Sequence, residues 1–414
     1  MKTKLRKSID ATFYNGLFDI VIKSLTTGPL LTAYALSLGM GNFLLGFLQS
    51  VIPFSNTLHL PVSYFLEKGR EPKKIACISS LLSRPLLALL AISLFFRESS
   101  WAIPLFVRSY ILFYLLVAIT GGAFWPWCKE FVPKTLTTSF FAHRIRYILL
   151  IKLLTIGVVT SFLSFTDKNQ LTEKLFVYPL LLFLAFILGL FYTYTLFQIK
   201  GIKLQNRSEK SFSQKLLLVL KKKDFIHFFL KIGFVNYAVS FFTPFVMVFL
   251  VQELKLDIST ALFFSVGSGC IDILCLGFWK KYARQNNLGK MLFSSLFFFL
   301  SAIIALIFLS GCKIYIYPIL CISFVLMGIG TSGVNLAISD ASVSYVPHQM
   351  SSIYISLMNM GRFGFSGVAS LLAGIGLEIF DYYTPYKWLL FFLISSLFYV
   401  MGAFFARDIK PLEK

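Results

Sequence analysis

The sequence predicts an all-α integral membrane protein with about 12 transmembrane helices, arranged as two pseudo-symmetric six-helix bundles. Three observations support this fold class: an apolar composition, long apolar runs along the whole chain, and an internal repeat. Hydrophobic residues make up 57% of the 414 residues and the mean hydropathy is +0.77, whereas a soluble globular chain is about 45–50% apolar. The composition therefore indicates a chain whose surroundings are largely lipid.

The apolar runs are each about 18 residues or longer, which is enough for a helix to cross a hydrocarbon core of about 30 Å. Only helices and closed barrels satisfy their backbone hydrogen bonds in lipid, and these runs are continuous rather than alternating, so helices are expected. The predicted spans cover residues 11–36, 40–66, 74–96, 101–124, 147–166, 175–199, 225–252, 258–279, 289–310, 314–338, 350–378 and 385–406. The basic segment Met1–Lys7 leads into a polar-studded span without a small-residue cleavage site, so we expect no removable signal peptide.

The positive charge of the chain sets its orientation. The formal net charge is +21, and most of the 39 Lys and Arg residues fall in segments on one side, with few in the opposite loops. Cytoplasmic loops carry such an excess, so both termini and the 200–224 segment are expected in the cytoplasm. A nucleic-acid partner is excluded because it would need a sizeable soluble basic domain, and the sequence contains none.

The longest polar stretch, residues 200–224, carries eight Lys and Arg residues and divides the chain into two sets of six spans. We therefore predict an N-terminal bundle at 1–199, a basic cytoplasmic linker at 200–224, and a C-terminal bundle with a short tail at 225–414. A charge run of this kind is expected to be solvated, with partial attraction to anionic lipid headgroups.

The two halves repeat each other at an offset of about 214 residues. Pro29 in the first span corresponds to Pro244 in the seventh, and Phe131-Val132-Pro133 before the fifth span corresponds to Tyr345-Val346-Pro347 before the eleventh. Because each half contains an even number of spans, the halves run parallel and are related by an axis along the membrane normal.

The six cysteines are scattered and no pair has metal-ligand spacing, since Cys270 and Cys275 are five residues apart and have no histidine partners. They are expected to be small apolar packing residues. The glycine series Gly328, Gly330 and Gly333 has the spacing of a dinucleotide fingerprint but lies within a span without a preceding strand, so a Rossmann interpretation is rejected. No metal site, cofactor or catalytic residue is predicted.

Three segments carry a resemblance to a known family. Residues 15–29 (NGLFDIVIKSLTTGP), 125–133 (WPWCKEFVP) and the loop from Ser63 to Arg70 are the motifs concerned. The chain resembles the major facilitator superfamily over essentially its whole length, in a bacterial branch of mostly uncharacterised members. The family's loop reads Gly-x-x-x-Asp-Arg-x-Gly-Arg-Arg/Lys, whereas the loop here is one residue shorter, with Ser63 for Gly and Glu67 for Asp. The resemblance implies a gating loop of Glu67, Lys68, Gly69 and Arg70.

The resemblance further implies a secondary active transporter that works by alternating access in the bacterial inner membrane, as a monomer in the lipid bilayer. Its partners would be a small-molecule solute and a proton or another coupling ion. The chain contains no Walker pattern, so ATP is not expected as the energy source.

Ionisable residues within spans are costly and mark solute or ion pathways by default. The predicted substrate-cavity residues are Lys23, Arg84, Arg108, Lys231 and Arg362. Lys23 lies one turn after Asp19, a spacing that favours an ion pair, and that pair has two interpretations: a self-neutralising structural pair, or a pair exchanging with substrate. Lys231, like Lys152, can instead snorkel to an interface, and the deep arginines can instead pair with other helices.

The candidates for proton coupling are Asp19, His59 and Asp272, because an imidazole or a desolvated carboxylate can exchange a proton near neutral pH. A satisfied polar contact between helices is the equal alternative for His59 and Asp272.

Deep bases outnumber deep acids, which favours a cargo with a carboxylate or phosphate group. The leading prediction is therefore a proton-coupled carrier of a small polar, anionic solute. Two alternatives stay open: an exporter of lipids or hydrophobic drugs, and a non-transporting receptor on the same scaffold. A membrane enzyme is disfavoured because the polar cluster His143, Arg144 and Arg146 has no adjacent acid.

Overall fold

The computed structural model describes residues 2–131, 134–167, 171–201, 212–311, 315–344, 351–407 and 409. The repeat landmarks Pro133 and 345–347, and linker residues 202–211, lie outside this set. The described chain folds into 15 α-helices and one π-helical turn, Phe249–Glu253. The helices are α1 Lys2–Thr26, α2 Pro29–Ser37, α3 Asn42–Asn56, α4 His59–Glu67, α5 Pro72–Phe95, α6 Ala102–Phe131, α7 Lys134–Asp167, α8 Leu171–Gln198, α9 Phe212–Leu220, α10 Lys223–Val248, α11 Ile258–Gln285, α12 Leu288–Gly311, α13 Ile316–Ser344, α14 Ser351–Tyr383 and α15 Lys387–Arg407.

Eleven helical segments of the described chain are long and apolar enough to cross a membrane. They follow the last eleven predicted spans to within a few residues, and the predicted class of multi-pass all-α membrane protein is confirmed. The first predicted span, 11–36, is not among the eleven. It is divided between α1 and α2, and α1 carries both Asp19 and Lys23.

The division of the first span occurs at Gly28. This residue has φ +63°, a left-handed conformation that costs glycine little. Pro29 then opens α2, where its missing N–H would be unpaired in any case. The sequence predicted one continuous span here, and the Gly28-Pro29 pair explains why the structure has two helices instead.

The corresponding proline of the seventh span does not break its helix. Pro244 lies inside α10, where it cannot donate a hydrogen bond to the carbonyl of Ser240 four residues earlier. The hydroxyl of Ser370 on α14 donates to that carbonyl at 3.1 Å. The neighbouring helix thereby satisfies the freed backbone group, which hydrocarbon could not do.

By internal packing the chain forms two compact units. The first comprises Met1–Met40 and Phe54–Phe212, and the second comprises Gly41–Pro53 and Ser213–Lys414. Most of α3, up to Pro53, thus packs within the second unit: a Cβ on Gly46 would lie 2.7 Å from the Cα of Gly374, and the Phe43 N–H donates to Glu378 Oε2 at 3.2 Å. The division predicted at the 200–224 linker stays a prediction.

The helix pairings within one unit are repeated within the other. In the first unit α5 packs on α6 and α8, α1 packs on α7 and α8, and α4 packs on α6. In the second unit α12 packs on α13 and α15, α10 packs on α14 and α15, and α11 packs on α13. Counted by span within each half, these are the same five pairings, as an internal repeat requires.

Candidate functional site

The centre of the candidate site is an ion pair on α1. Lys23 Nζ lies 2.7 Å from Asp19 Oδ2, and the two residues are one helical turn apart. The Lys23 side chain is 46% exposed and the Asp19 side chain 33% exposed. A charged pair that keeps this much accessible surface can exchange its partner for a solute group.

Arg84 on α5 is enclosed within the first unit, with 3% of its surface exposed. Its Nη2 donates to Ser80 Oγ at 3.1 Å and its Nε donates to Thr193 Oγ1 at 3.3 Å. The guanidinium lies over the ring of Tyr192 at 4.5 Å. A Cβ on Gly189 would come within 2.6 Å of Arg84 Cδ, so the absent side chain at Gly189 makes the room.

This placement corrects the expectation that Arg84 lines an open cavity. The guanidinium is held by hydroxyls and an aromatic face inside one unit and is too enclosed to contact a solute directly. It does interact electrostatically with Asp19. A buried cation without a hydrogen-bonded carboxylate is costly, so this longer-range attraction contributes to its stability.

Arg144 on α7 is a second buried arginine near Asp19, and the sequence analysis did not assign it to this site. It is 4% exposed, and its guanidinium lies 5.1 Å from the ring of Trp125. A Cβ on Gly16 would come within 2.6 Å of its Nε. Arg144 interacts electrostatically with Asp19 and with Tyr192. The residue of the sequence that points to this contact is Gly16, one turn before Asp19 on α1, because a glycine there leaves room for the long side chain of Arg144.

His59 is a further ionisable residue of the first unit. It is the first residue of α4, after the break in the second predicted span. A Cβ on Gly121 of α6 would lie 3.4 Å from His59 Nε2, and the Lys23 ammonium acts electrostatically on the imidazole. The structure therefore places the Asp19–Lys23 pair, His59 and the two arginines in the same unit. Arg108, by contrast, is exposed on α6, and Lys152 is exposed on α7.

The second unit holds the other predicted residues. Arg362 on α14 is half-buried, and its Nε donates to Asn236 Oδ1 at 3.0 Å. Asn236 on α10 in turn donates to the Ile232 carbonyl at 2.8 Å. Lys231 on α10 and Asp272 on α11 are both partly buried. Asp272 also interacts electrostatically with Cys275 one turn later.

The predicted gating loop forms the connection between α4 and α5. Glu67 ends α4, and Gly69 has φ +84°, with its N–H donating to the Leu66 carbonyl at 3.0 Å. This is the left-handed helix end that glycine favours. The Lys68 ammonium lies 4.5 Å from the centre of the Tyr64 ring. The geometry makes a tight turn, and its gating role stays a prediction.

No family profile and no curated protein matches the sequence. Solved structures do match over nearly the whole chain. A point mutant of the nucleoside transporter NupG is 12% identical, with a TM-score of 0.77, covering 97% of this chain and 99% of that one. The D-xylose-proton symporter is 12% identical, with a TM-score of 0.70 and 98% of each chain covered. The human organic anion transporter MFSD10 is 12% identical, with a TM-score of 0.62, covering 97% of this chain and 99% of that one.

At a sequence identity this low, structural similarity establishes the fold but not the transported solute. The neighbours are major facilitator transporters. The protein therefore has the fold of the major facilitator superfamily, as its sequence motifs predicted.

Proposed function

We propose that this protein is a secondary active transporter that moves a small polar solute across the bacterial inner membrane by alternating access. The observation that carries the proposal is the partly exposed Asp19–Lys23 pair on a helix of the first predicted span. Charges are retained at such positions mainly for function, because lipid makes them expensive. The match to solute transporters over the whole chain supports the same class.

The surrounding charges favour an anionic cargo with a carboxylate or phosphate group. Three cations, Lys23, Arg84 and Arg144, act on the carboxylate of Asp19. The site is therefore positive overall, and in a medium of low dielectric such an excess attracts an anion strongly. Lys23 is the cation that reaches the solute, because the two arginines are enclosed.

The exchange we propose is a change of partner for Lys23. An incoming anion draws the ammonium away from Asp19, and the positive charges of Arg84 and Arg144 then offset the charge of that carboxylate. The arginines thus act as positioning residues for Asp19. Neither of them needs to contact the cargo.

The position of His59 offers a route to proton coupling. An imidazole can exchange a proton near neutral pH. An anion bound at Lys23 and a proton bound at His59 would then enter together, as symport requires. Asp272 in the second unit remains the other candidate.

A ligand screen followed by a matched pair of variants tests the proposal. Thermal unfolding of the purified protein is measured with amino acids, nucleosides, organic acids and phosphates, since a ligand raises the unfolding temperature by mass action. In proteoliposomes, Lys23→Gln is expected to lower uptake of the stabilising solute at least tenfold. Lys152→Gln, which removes an exposed lysine from α7, is expected to leave uptake within about twofold.

Equal uptake by Lys23→Gln and the unmodified protein would remove Lys23 from the site. Stabilisation by lipids or hydrophobic drugs alone would favour the exporter alternative. Stabilisation without any transport in proteoliposomes would favour a receptor on the same scaffold.

A further inference from the structure

The start of the second unit has an exposed surface that combines leucines and lysines. Helix α9 ends at Leu220, and Lys221, Lys222 and Lys223 follow directly before α10. Leu217, Leu218 and Leu220 are 56%, 41% and 43% exposed, and all three lysines are exposed. We call these six residues the linker patch.

The exposed leucines need an apolar partner, because removing leucine side chains from water is favourable. Helix α9 has nine residues, so its length is about 14 Å and it cannot cross a hydrocarbon core of about 30 Å. It can therefore bury these leucines only at a membrane surface or against another protein.

The neighbouring helix decides between these two partners. Helix α10 opens at Lys223 and belongs to a membrane-spanning segment. Ile226 and Leu230, which are one turn apart on α10, are also exposed apolar residues. The leucines of α9 therefore lie on one side of the three lysines in the chain and the exposed apolar residues of α10 on the other. Because the linker patch directly precedes a segment long and apolar enough to span a membrane, a membrane surface is favoured as its partner.

We propose that the linker patch docks on anionic phospholipid headgroups. The lysines would contact phosphate groups while the leucines enter the acyl boundary, as in interfacial amphipathic helices. A membrane without net negative charge would bury the leucines but would not attract the lysines. The proposal concerns lipid recognition and is independent of the cargo.

The test measures binding of fluorescent phosphatidylglycerol to the purified full chain in neutral detergent, with phosphatidylcholine as the reference lipid. Near an anionic surface each lysine contributes about fivefold in affinity. The variant Lys221→Gln/Lys222→Gln/Lys223→Gln is therefore expected to weaken phosphatidylglycerol binding at least tenfold. The variant with arginine at the same three positions should bind as the unmodified protein does. Binding should also weaken as salt is raised.

The matched control is Lys280→Gln/Lys281→Gln/Arg284→Gln, which removes three exposed cations from the end of α11. It is expected to leave binding within about twofold, and unfolding temperatures in neutral detergent report whether each variant is folded. Unchanged binding in the first variant, or an equal loss in the control, would overturn the proposal. So would equal affinity of the unmodified protein for phosphatidylglycerol and phosphatidylcholine. An acidic protein as the true partner would give the first of these results.

Discussion

At the scale of single residues, the cations of the candidate site differ in burial. Arg84 and Arg144 are 3% and 4% exposed, whereas the Lys23 side chain is 46% exposed. Each buried arginine lies opposite a glycine, at Gly189 and Gly16, and against an aromatic ring. Stacking and hydrogen bonding suit the planar guanidinium better than an ammonium. These two positions are therefore expected to tolerate lysine poorly.

Asp272 gives a prediction at the same scale. A proton-driven carrier needs a buried group that changes its protonation as access changes, and a carboxylate in α11 can do this. Asp272→Asn is expected to abolish accumulation driven by a pH gradient while leaving substrate exchange measurable, because exchange needs no net proton movement. Counterflow and pH-jump uptake in proteoliposomes separate the two activities. Normal accumulation by the variant would make Asp272 structural and move the coupling to His59 or Asp19.

At the scale of helices, side chains from neighbouring helices satisfy carbonyls that the backbone leaves open. Ser370 does so for the carbonyl that Pro244 frees inside α10. Lys73 of α5 does so at the end of α8, where its ammonium donates to the carbonyls of Phe197 and Ile199 at 2.8 and 2.7 Å. A helix end carries unpaired carbonyls and a partial negative charge, so a lysine stabilises it in both respects.

The contact of Lys73 with α8 predicts a difference between two adjacent lysines. Lys73→Met is expected to lower the free energy of unfolding by about 1–2 kcal/mol, because it removes two charge-assisted hydrogen bonds. Lys74 pairs with Glu71 at 3.2 Å, and its side chain is 72% exposed. Lys74→Met should therefore change stability by less than about 0.5 kcal/mol. Denaturant unfolding in detergent micelles measures both, and equal effects would mean that the Lys73 contact does not stabilise α8.

At the scale of the whole molecule, the charge distribution and the twelve predicted spans together predict a topology. An even number of spans would place both termini on one side, and the excess of Lys and Arg predicts that this side is the cytoplasm. The count of twelve includes the first predicted span, which the structure divides into two helices, α1 and α2.

Reporter fusions test this topology. A fusion after Gly201 and a fusion at the C-terminus are expected to report the cytoplasm, whereas a fusion within the 97–100 loop should report the opposite side. A fusion after Gly201 that reported the outside would contradict the orientation and with it the argument from positive charge.

The sequence by itself determined the class of multi-pass membrane protein, eleven segments long enough to span a membrane, and the repeat, because hydropathy and helical spacing are local properties of the chain. The pairing of Asp19 with Lys23 belongs here too, since both lie on one helix face.

Only the tertiary structure decided which of these charges are enclosed. The burial of Arg84 depends on Gly189 and Thr193 of α8, and the approach of Arg144 to Asp19 depends on Gly16 of α1. The packing of Gly41–Pro53 in the second unit depends on Gly374, far away in the chain. Contacts between residues so distant in sequence leave no periodic signal along the chain, because they arise only when separate helices pack together.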